Sequence, residues 1–248
     1  MNCKPAIIAG SGLLNLPDFK IHQKHLVDTP WGKPSSPVYA GAWQGVEVLF
    51  MTRHGDKHSI APHKVNYRAN IAALAQLGAS HLFAYNAVGG MGDYGTAGSL
   101  VIPDQIIDYT WGREHTFYDG GDTLDHIDFT QPYDESLRQI LLSSAKNAAI
   151  ALQTQGVYGA TQGPRLESAA EIKRMVRDGC NVVGMTGMPE AALAREKNLP
   201  YACLALVVNA AAGEGSENIT MADIERVVSE RMPSVCDVLS GACALVSA

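Results

Sequence analysis

Two short apolar runs, residues 182–185 and 201–208, constrain the fold of this chain more than any other feature. Their length and composition are typical of strands buried within a sheet. Between them, Pro189 and Glu190 follow Thr186 in the order that favours the first turn of a helix. Each run ends in polar residues, and open α/β sheets bind ligands at the carboxyl ends of their strands. We therefore expect a ligand site where these runs end.

The same alternation of strands and helices extends along the chain. Further strands are predicted at residues 4–9, 38–42, 46–52, 81–86 and 100–107, and residues 43–45 are predicted to form the hairpin turn between the second and third of these. Helices are predicted at residues 62–77 and 133–152, after the capping-box pair Ser168 and Glu171, and from Thr220 onward. Pro233 should kink or split the last helix, because an interior proline costs about 3 kcal/mol. The predicted fold class is α/β, with a central mixed, mostly parallel, twisted sheet flanked by helices, in one domain spanning residues 1–248.

The charge and composition of the chain exclude some partners. A formal net charge of −6 and a pI near 5.7 argue against a nucleic-acid groove. The longest apolar run is far shorter than the roughly 20 residues of a membrane span. The first residues lack a signal-peptide pattern, so we expect a cytoplasmic protein without membrane contact. Five cysteines, an odd number without CxxC spacing, predict buried reduced thiols.

Two glycine-rich segments and one basic pair follow predicted strands. Gly10-Ser11-Gly12 and an expected loop at residues 86–90 offer backbone N–H groups to an anion. Arg53 and His54 provide a guanidinium fork and an imidazole, which suit phosphate. Simpler interpretations stay open: a surface salt bridge for Arg53, a strand cap for His54 and a structural turn at 86–90. The first turn also resembles the start of a dinucleotide fingerprint, although Asn15 stands where the third glycine belongs.

A cluster of histidines suggests metal binding at first sight. His54, His58 and His63 surround Asp56 in the sequence. Their spacing fits no standard set of metal ligands, and Pro62 interrupts any helical geometry. We therefore predict no metal site.

Six motifs together resemble, in order and spacing, the family of trimeric purine nucleoside phosphorylases and methylthioadenosine phosphorylases. The resemblance spans nearly the whole chain, and the block KVNYRANIAAL is also similar to the methylthioadenosine branch. The six motifs are Gly10-Ser11-Gly12, Arg53-His54-Gly55, Asn86-Ala87-Val88-Gly89, Gly163-Pro164-Arg165, Gly184-Met185-Thr186 with Pro189-Glu190, and Asn209.

This resemblance implies a set of site residues. Inorganic phosphate, as co-substrate, is expected to contact Ser11, Arg53, His54, Asn86, Ala87 and Thr186. The nucleoside is expected to contact Met185 beneath the ribose, and Leu166, Glu167, Asn209 and Ala211 around the purine. Catalytic roles are implied for Asn209, Glu167 and His54. No metal or organic cofactor is implied. The resemblance also implies a homotrimer in which His126 reaches a neighbouring subunit's site.

Residues on the purine side separate the branches of this family. The methylthioadenosine enzymes carry Asp at the positions matching Asn209 and Ala211, and no acid at the position matching Glu167. A Glu167 carboxylate accepts a hydrogen bond from the N1–H of a 6-oxopurine, a proton that adenine lacks. Asn209 can hydrogen-bond to N7 but cannot protonate it. The base pocket is therefore expected to take hypoxanthine or guanine.

The residues expected around the 5′ position of the nucleoside indicate the methylthioadenosine branch instead. Met221 and Ile224 match apolar residues that cover the methylthio group there, and a polarizable Met suits a thioether. The alternative, that both belong to a helix core, stays open. Together the two pockets predict phosphorolysis of S-methyl-5′-thioinosine. The alternatives are methylthioadenosine, or inosine and guanosine, as substrates. Alternatives from other classes of protein are a dinucleotide-binding oxidoreductase and a non-catalytic nucleotide-binding module.

Overall fold

The computed structural model describes residues 4–10, 12–13, 16–120, 125–215 and 220–248. In this part of the chain, ten strands form a single sheet. The strands are β1 Pro5–Ala9, β2 Lys20–His25, β3 Val38–Trp43, β4 Val46–Thr52, β5 His81–Gly90, β6 Leu100–Val101, β7 Gln105–Asp108, β8 Val157–Ala160, β9 Val182–Gly184 and β10 Tyr201–Ala210. The helices are α1 Tyr67–Gln76, α2 Glu135–Asn147, α3 Ala169–Arg177, α4 Gly187–Glu196 and α5 Met221–Ser247, with 3₁₀ turns at Pro62–Lys64 and Gly92–Tyr94.

The sheet combines parallel and antiparallel pairs around β5. Strands β4, β1, β5 and β10 are parallel neighbours, and β2 and β3 extend the β4 edge as an antiparallel meander. Near its end, β5 also pairs antiparallel with β9, which leads to β8 and β7 through parallel pairs. The ends of β1, β4 and β9 are therefore gathered around the second half of β5.

Helices cover both faces of the sheet. Alternate side chains of β5 point to opposite faces, as the two-residue period of a strand requires. Leu82 and Ala84 join one apolar cluster with α1 and α4. Phe83 and Tyr85 join another with α2 and α5. This two-sided burial explains why the central strands read as nearly continuous apolar runs.

Two predicted helix starts and the predicted hairpin turn are confirmed. Ser168 and Glu171 form a complete capping box at the start of α3. Thr220 caps α5 by accepting from Asp223 N. In the β3–β4 hairpin, Gln44 and Gly45 both have positive φ, as a tight two-residue turn requires. Of the five cysteines, the four in the described residues are buried, as expected; Cys3 lies outside that part of the chain.

Pro233 does not split the last helix, which was one of the two outcomes predicted for it. Helix α5 runs unbroken from Met221 to Ser247 with Pro233 inside it. Val227, Val228, Val235 and Leu239 on the turns around it are buried. Burial of each such side chain contributes about 1.5–3 kcal/mol, which together outweighs the proline cost of about 3 kcal/mol.

The predicted glycine-rich loop at residues 86–90 is also wrong, because β5 continues through it. Gly89 pairs with Asn209 of β10 and with Val183 of β9. A Cβ on Gly90 would lie 2.0 Å from Tyr94 O. Here glycine allows a close backbone approach rather than a loop.

Three element boundaries also differ from the prediction. The run at residues 100–107 is two strands, β6 and β7, because Pro103 lacks the N–H that a continuous ladder needs. Helix α1 starts only at Tyr67, after a separate 3₁₀ turn, with Asn66 accepting from Ala69 N at its cap. Helix α2 ends at Asn147, and Ala149 then has positive φ. No helix in the described residues is long and apolar enough to cross a bilayer.

Candidate active site

Arg53 lies at the end of β4 and is completely buried. Its Nε donates to Glu190 Oε2 at 2.6 Å and its Nη2 to Glu190 Oε1 at 2.8 Å. Tyr201 donates to the same carboxylate, to Oε1 at 3.0 Å. Burial opposes the charge, but the Glu190 carboxylate outweighs it and raises the pKa of Arg53. The surface salt bridge considered for Arg53 is wrong. Glu190 likewise serves as a buried ion-pair partner rather than a simple complement to the helix dipole.

The first glycine turn meets this guanidinium. Gly10 N and Arg53 Nη1 both donate to Tyr85 O, at 3.1 and 3.2 Å. A Cβ on Gly10 would lie only 2.9 Å from Arg53 Nη1, so glycine is required for this approach. Gly12 has a φ of 89°, and a Cβ there would meet Val228 of α5 at 2.2 Å. Ser11, expected at the phosphate, lies outside the described residues.

His54 is held as a neutral imidazole beside Arg53. Its Nδ1 lies 2.8 Å from Ile60 O, and a carbonyl can only accept, so Nδ1 carries the proton. Burial lowers the pKa of His54 to about 4, and the neighbouring Arg53 charge acts in the same direction. The ring packs against that of His58, with centroids 4.8 Å apart. In its neutral form His54 therefore presents Nε2 as a hydrogen-bond acceptor.

Tyr158, on β8, joins Asn86 to Thr186 and was missed by the sequence analysis. Asn86 Nδ2 donates to the Tyr158 hydroxyl at 3.3 Å, and burial raises the pKa of that hydroxyl, an effect that the nearby Thr186 backbone N–H partly offsets. Asn86 Oδ1 is buried without a partner among the described atoms. A Cβ on Gly184 would lie 2.1 Å from that hydroxyl. The glycine before Met185 thus makes room for Tyr158, which is the signal that could have revealed it.

The strand ends place the other expected phosphate residues nearby. Thr186 is the N-cap of α4, and its side chain makes no capping hydrogen bond, so the hydroxyl is not used by the helix. Ala87 directly follows Asn86 in β5. The ends of β1 and β4 thus place Gly10 and Arg53 at Tyr85 of β5, and Asn86 is the next residue of that strand.

Glu167 lies in the segment between β8 and α3. Thr161, just after β8, donates from its hydroxyl to Glu167 Oε1 at 2.6 Å. The carboxylate lines a cleft of about 480 Å³ between the segments after β7 and β8 and the start of α3. Leu166 is exposed beside it. The hydroxyl fixes one oxygen of Glu167.

Asn209 lies in a segment adjacent to that of Glu167. It pairs with Gly89 near the end of β10, where the register shifts, and its Nδ2 donates to Ala210 O at 2.6 Å. A Cβ on Gly213 would lie 2.6 Å from Ala169 Cβ, so the chain after Asn209 touches the start of α3. Ala211 is buried with Ile172 and Met175 of that helix, which gives this alanine a packing role.

Met185 and the residues expected at the 5′ position differ in how deeply they are buried. Met185 is half-buried, and a Cβ on Gly163 would lie 2.4 Å from its sulfur, so it packs against the 163–164 turn. Ile224 packs against the core cluster of α2 and α5, which supports its helix-core alternative. Met221 is 67 % exposed, and His126 is also exposed. The described chain alone does not enclose the region of Met221.

Two further expectations concern metals and dinucleotides. No group of three or more His, Cys, Asp or Glu side chains within the described ranges could hold a metal ion. The described residues between β1 and β2 form no helix, whereas a dinucleotide fingerprint needs a helix directly after its glycine turn. The dinucleotide interpretation of Gly10 and Gly12 is therefore wrong.

Comparison with known proteins agrees with this geometry. Residues 4–244 match the phosphorylase superfamily, and the chain belongs to that family. It is 54 % identical over 221 residues to a probable S-methyl-5′-thioinosine phosphorylase of Xanthomonas campestris pv. campestris, covering 88 % of each chain. It is 40 % identical over 247 residues to the 6-oxopurine nucleoside phosphorylase of Pyrococcus furiosus, covering 97 % of this chain and 92 % of the relative.

A solved structure gives the same result for the fold. Methylthioadenosine phosphorylase from Schistosoma mansoni in complex with adenine superposes with a TM-score of 0.95 at 32 % identity. The alignment covers 98 % of this chain and 92 % of that one. The resemblance drawn from the six motifs and the α/β fold class are both confirmed.

Proposed function

We propose that this chain is a pentosyltransferase that cleaves S-methyl-5′-thioinosine with phosphate, giving hypoxanthine and 5-methylthioribose 1-phosphate. The observation that carries the proposal is that Glu167, held by Thr161, lies in the segment before α3, which the chain after Asn209 touches. The buried guanidinium of Arg53 is the second feature that supports the proposal. The Xanthomonas campestris relative is named a probable S-methyl-5′-thioinosine phosphorylase, which supports the choice of substrate.

Phosphate binds, in this proposal, where Gly10, Arg53 and Thr186 meet. Ser11, Asn86 and Ala87 complete its contacts, as the resemblance implies. Neutral His54 offers Nε2 to the protonated oxygen of the phosphate monoanion or dianion, because an acceptor requires a partner with a proton. Glu190 occupies Nε and Nη2 of Arg53, so the second N–H of Arg53 Nη1 and the Thr186 hydroxyl supply donors to the remaining oxygens.

The purine is bound through its oxygen-bearing edge. Glu167, held by the Thr161 hydroxyl, accepts from N1–H, and Asn209 hydrogen-bonds at N7 as negative charge builds on the leaving base. Phosphate attacks the anomeric carbon as the glycosidic bond breaks through an oxocarbenium-like state. The bound anion beside that developing positive charge stabilises the transition state.

The remaining parts of the proposal concern the oligomeric state, the cofactor requirement and the cellular location. The exposed Met221 forms an apolar 5′ pocket only when a neighbouring subunit covers it, which favours the homotrimer in which His126 crosses to the next site. Phosphate is the co-substrate, and the enzyme uses no metal or organic cofactor. It works in the cytoplasm as one domain.

A second candidate is cleavage of inosine and guanosine. The open surroundings of Met221 favour it, because the described chain does not by itself exclude a 5′-hydroxyl. The Pyrococcus furiosus relative carries a 6-oxopurine nucleoside phosphorylase name.

Hypoxanthine release with and without phosphate tests the proposal. We expect phosphate-dependent release from S-methyl-5′-thioinosine with a higher kcat/KM than from inosine, guanosine or methylthioadenosine. Release without phosphate would contradict phosphorolysis. Preference for inosine would favour the second candidate, and preference for methylthioadenosine would contradict the roles of Glu167 and Asn209.

A further inference from the structure

Arg113 is a buried cation in the long segment between β7 and α2. The structure gives it no carboxylate within ion-pairing distance among the described residues. Arginine stays protonated in proteins, so the charge must be stabilised by other oxygens. Its role is therefore to be found in the groups that its N–H donors reach.

One side of the guanidinium holds the end of β8. Arg113 Nη2 donates to Thr161 O at 3.1 Å and to Gln162 O at 2.8 Å. Its Nε donates to the Gln162 side chain at 3.1 Å. Thr161 is also the residue whose hydroxyl fixes Glu167. This side of Arg113 thus holds the segment that carries the proposed purine contact.

The other side holds the turn that presents Thr186. Arg113 Nη1 donates to Met185 O at 2.8 Å and to Met188 O at 2.6 Å. The Met185 carbonyl and the Thr186 N–H belong to the same peptide group, and that N–H lies near the Tyr158 hydroxyl. Arg113 thus fixes the carbonyl end of this peptide group. Tyr67 receives a further bond from Nη1, at 3.2 Å.

The segment that carries Arg113 is itself anchored. Arg68 of α1 pairs with Glu114 at 3.3 Å and with Asp119 at 2.6 Å. Phe117 N donates to Glu196 at 2.7 Å. These contacts tie the segment to α1 and α4, so Arg113 acts from a fixed base.

We propose that Arg113 is a positioning residue that sets the purine-side segment at 161–162 against the phosphate-side turn at 185–188. A planar guanidinium with donors on both edges can span the two segments in one geometry, which a lysine ammonium cannot. This inference rests on the proposed phosphorolysis. Its consequence is that Arg113 fixes the distance between the two reactants rather than the affinity for either one.

The test separates kcat from KM in Arg113→Met and Arg113→Lys. A misplacement of about 1 Å costs about 100-fold in rate, so Arg113→Met should lower kcat by about that factor. Each KM should change less than about threefold, because each half-site keeps its own ligand groups. Arg113→Lys retains the charge but should still lose about tenfold in kcat, since it cannot bond both segments rigidly.

Arg138 provides a matched control. It is also buried, and it donates to Pro103 O at 3.0 Å and Thr154 O at 2.6 Å, on helix α2 away from the site. Arg138→Met should lower stability and leave kcat unchanged. A kcat of Arg113→Met within about threefold of wild type, or an equal loss in Arg138→Met, would overturn the inference.

Parallel assays of the wild type distinguish the two proposals. An inactive wild type overturns the proposed function and, with it, the role of Arg113. An active wild type with equally active, folded Arg113 variants overturns only the positioning role. Circular dichroism establishes folding, and if Arg113→Met does not fold, Arg113→Lys is judged instead, a kcat equal to wild type counting against the inference.

Discussion

Replacing Glu190 by Gln should strongly destabilise the protein. Glu190 and Arg53 are both 0 % exposed, and two hydrogen bonds of 2.6 and 2.8 Å join them. A Gln amide can accept only one of these donors and turns its own NH₂ toward the other. Removing one partner of a buried pair leaves an uncompensated charge and costs about 3–5 kcal/mol. At about 2–4 °C per kcal/mol for a chain of this size, the thermal midpoint should fall by about 6–20 °C.

Glu135→Gln gives a matched comparison. Glu135 also pairs with a buried arginine, Arg138, but its own side chain is 58 % exposed. An exposed partner contributes little, so this variant should lose no more than about 1 kcal/mol. Urea unfolding of both variants and the wild type at pH 7 measures the difference. Equal losses below about 1 kcal/mol would refute the assignment of a buried, mutually compensated pair at Arg53.

Three further predictions concern single residues. The folded pKa of His54, about 4, lies below its unfolded value near 6.5, so stability is complete above pH 6.5 and falls as pH drops toward 4. Between pH 6.5 and 4, the free energy of unfolding measured in urea should fall by about 3 kcal/mol less in His54→Gln than in the wild type. An equal fall in both proteins would contradict the lowered pKa of His54. Asn209→Asp should narrow the preference for S-methyl-5′-thioinosine over methylthioadenosine by at least about tenfold in relative kcat/KM, since its protonated carboxyl can serve N7 of adenine. Met221→Ser should alter stability by less than about 0.5 kcal/mol, because Met221 is exposed, and should raise inosine turnover relative to the methylthio substrate; an unchanged ratio would place Met221 outside the 5′ pocket.

Local signals predicted the helix caps and the hairpin because their causes lie within a few residues. Ser168 with Glu171 and the Gln44-Gly45 turn carry the hydrogen bonds and dihedral angles that they need in their own neighbourhood. The continuation of β5 through Gly89 was not predicted, because the strands that pair with this glycine, β9 and β10, are distant in the sequence.

The contacts that define the site are long-range, which is why sequence patterns missed them. Arg53 and Glu190 are separated by 137 positions. Glu190 stands in an apolar stretch, MTGMPEAALA, and a lone acid in such a run signals a buried partner. Arg113 gave no comparable signal, because most of its partners are backbone carbonyls, which every residue has.

The acidic balance of the whole chain is compatible with a phosphate site because the buried charges have the opposite sign. Glu190 is the only carboxylate among the buried polar side chains of the described residues, whereas Arg53, Arg113 and Arg138 are buried cations and His54 is neutral there. Solvent and salt screen exposed acids beyond about 8 Å, but they screen buried charges much less. Arg53 is neutralised by its partner, and Arg113 is not. The proposed phosphate site therefore lies among interior cations, so the net charge of −6 does not exclude an anion there.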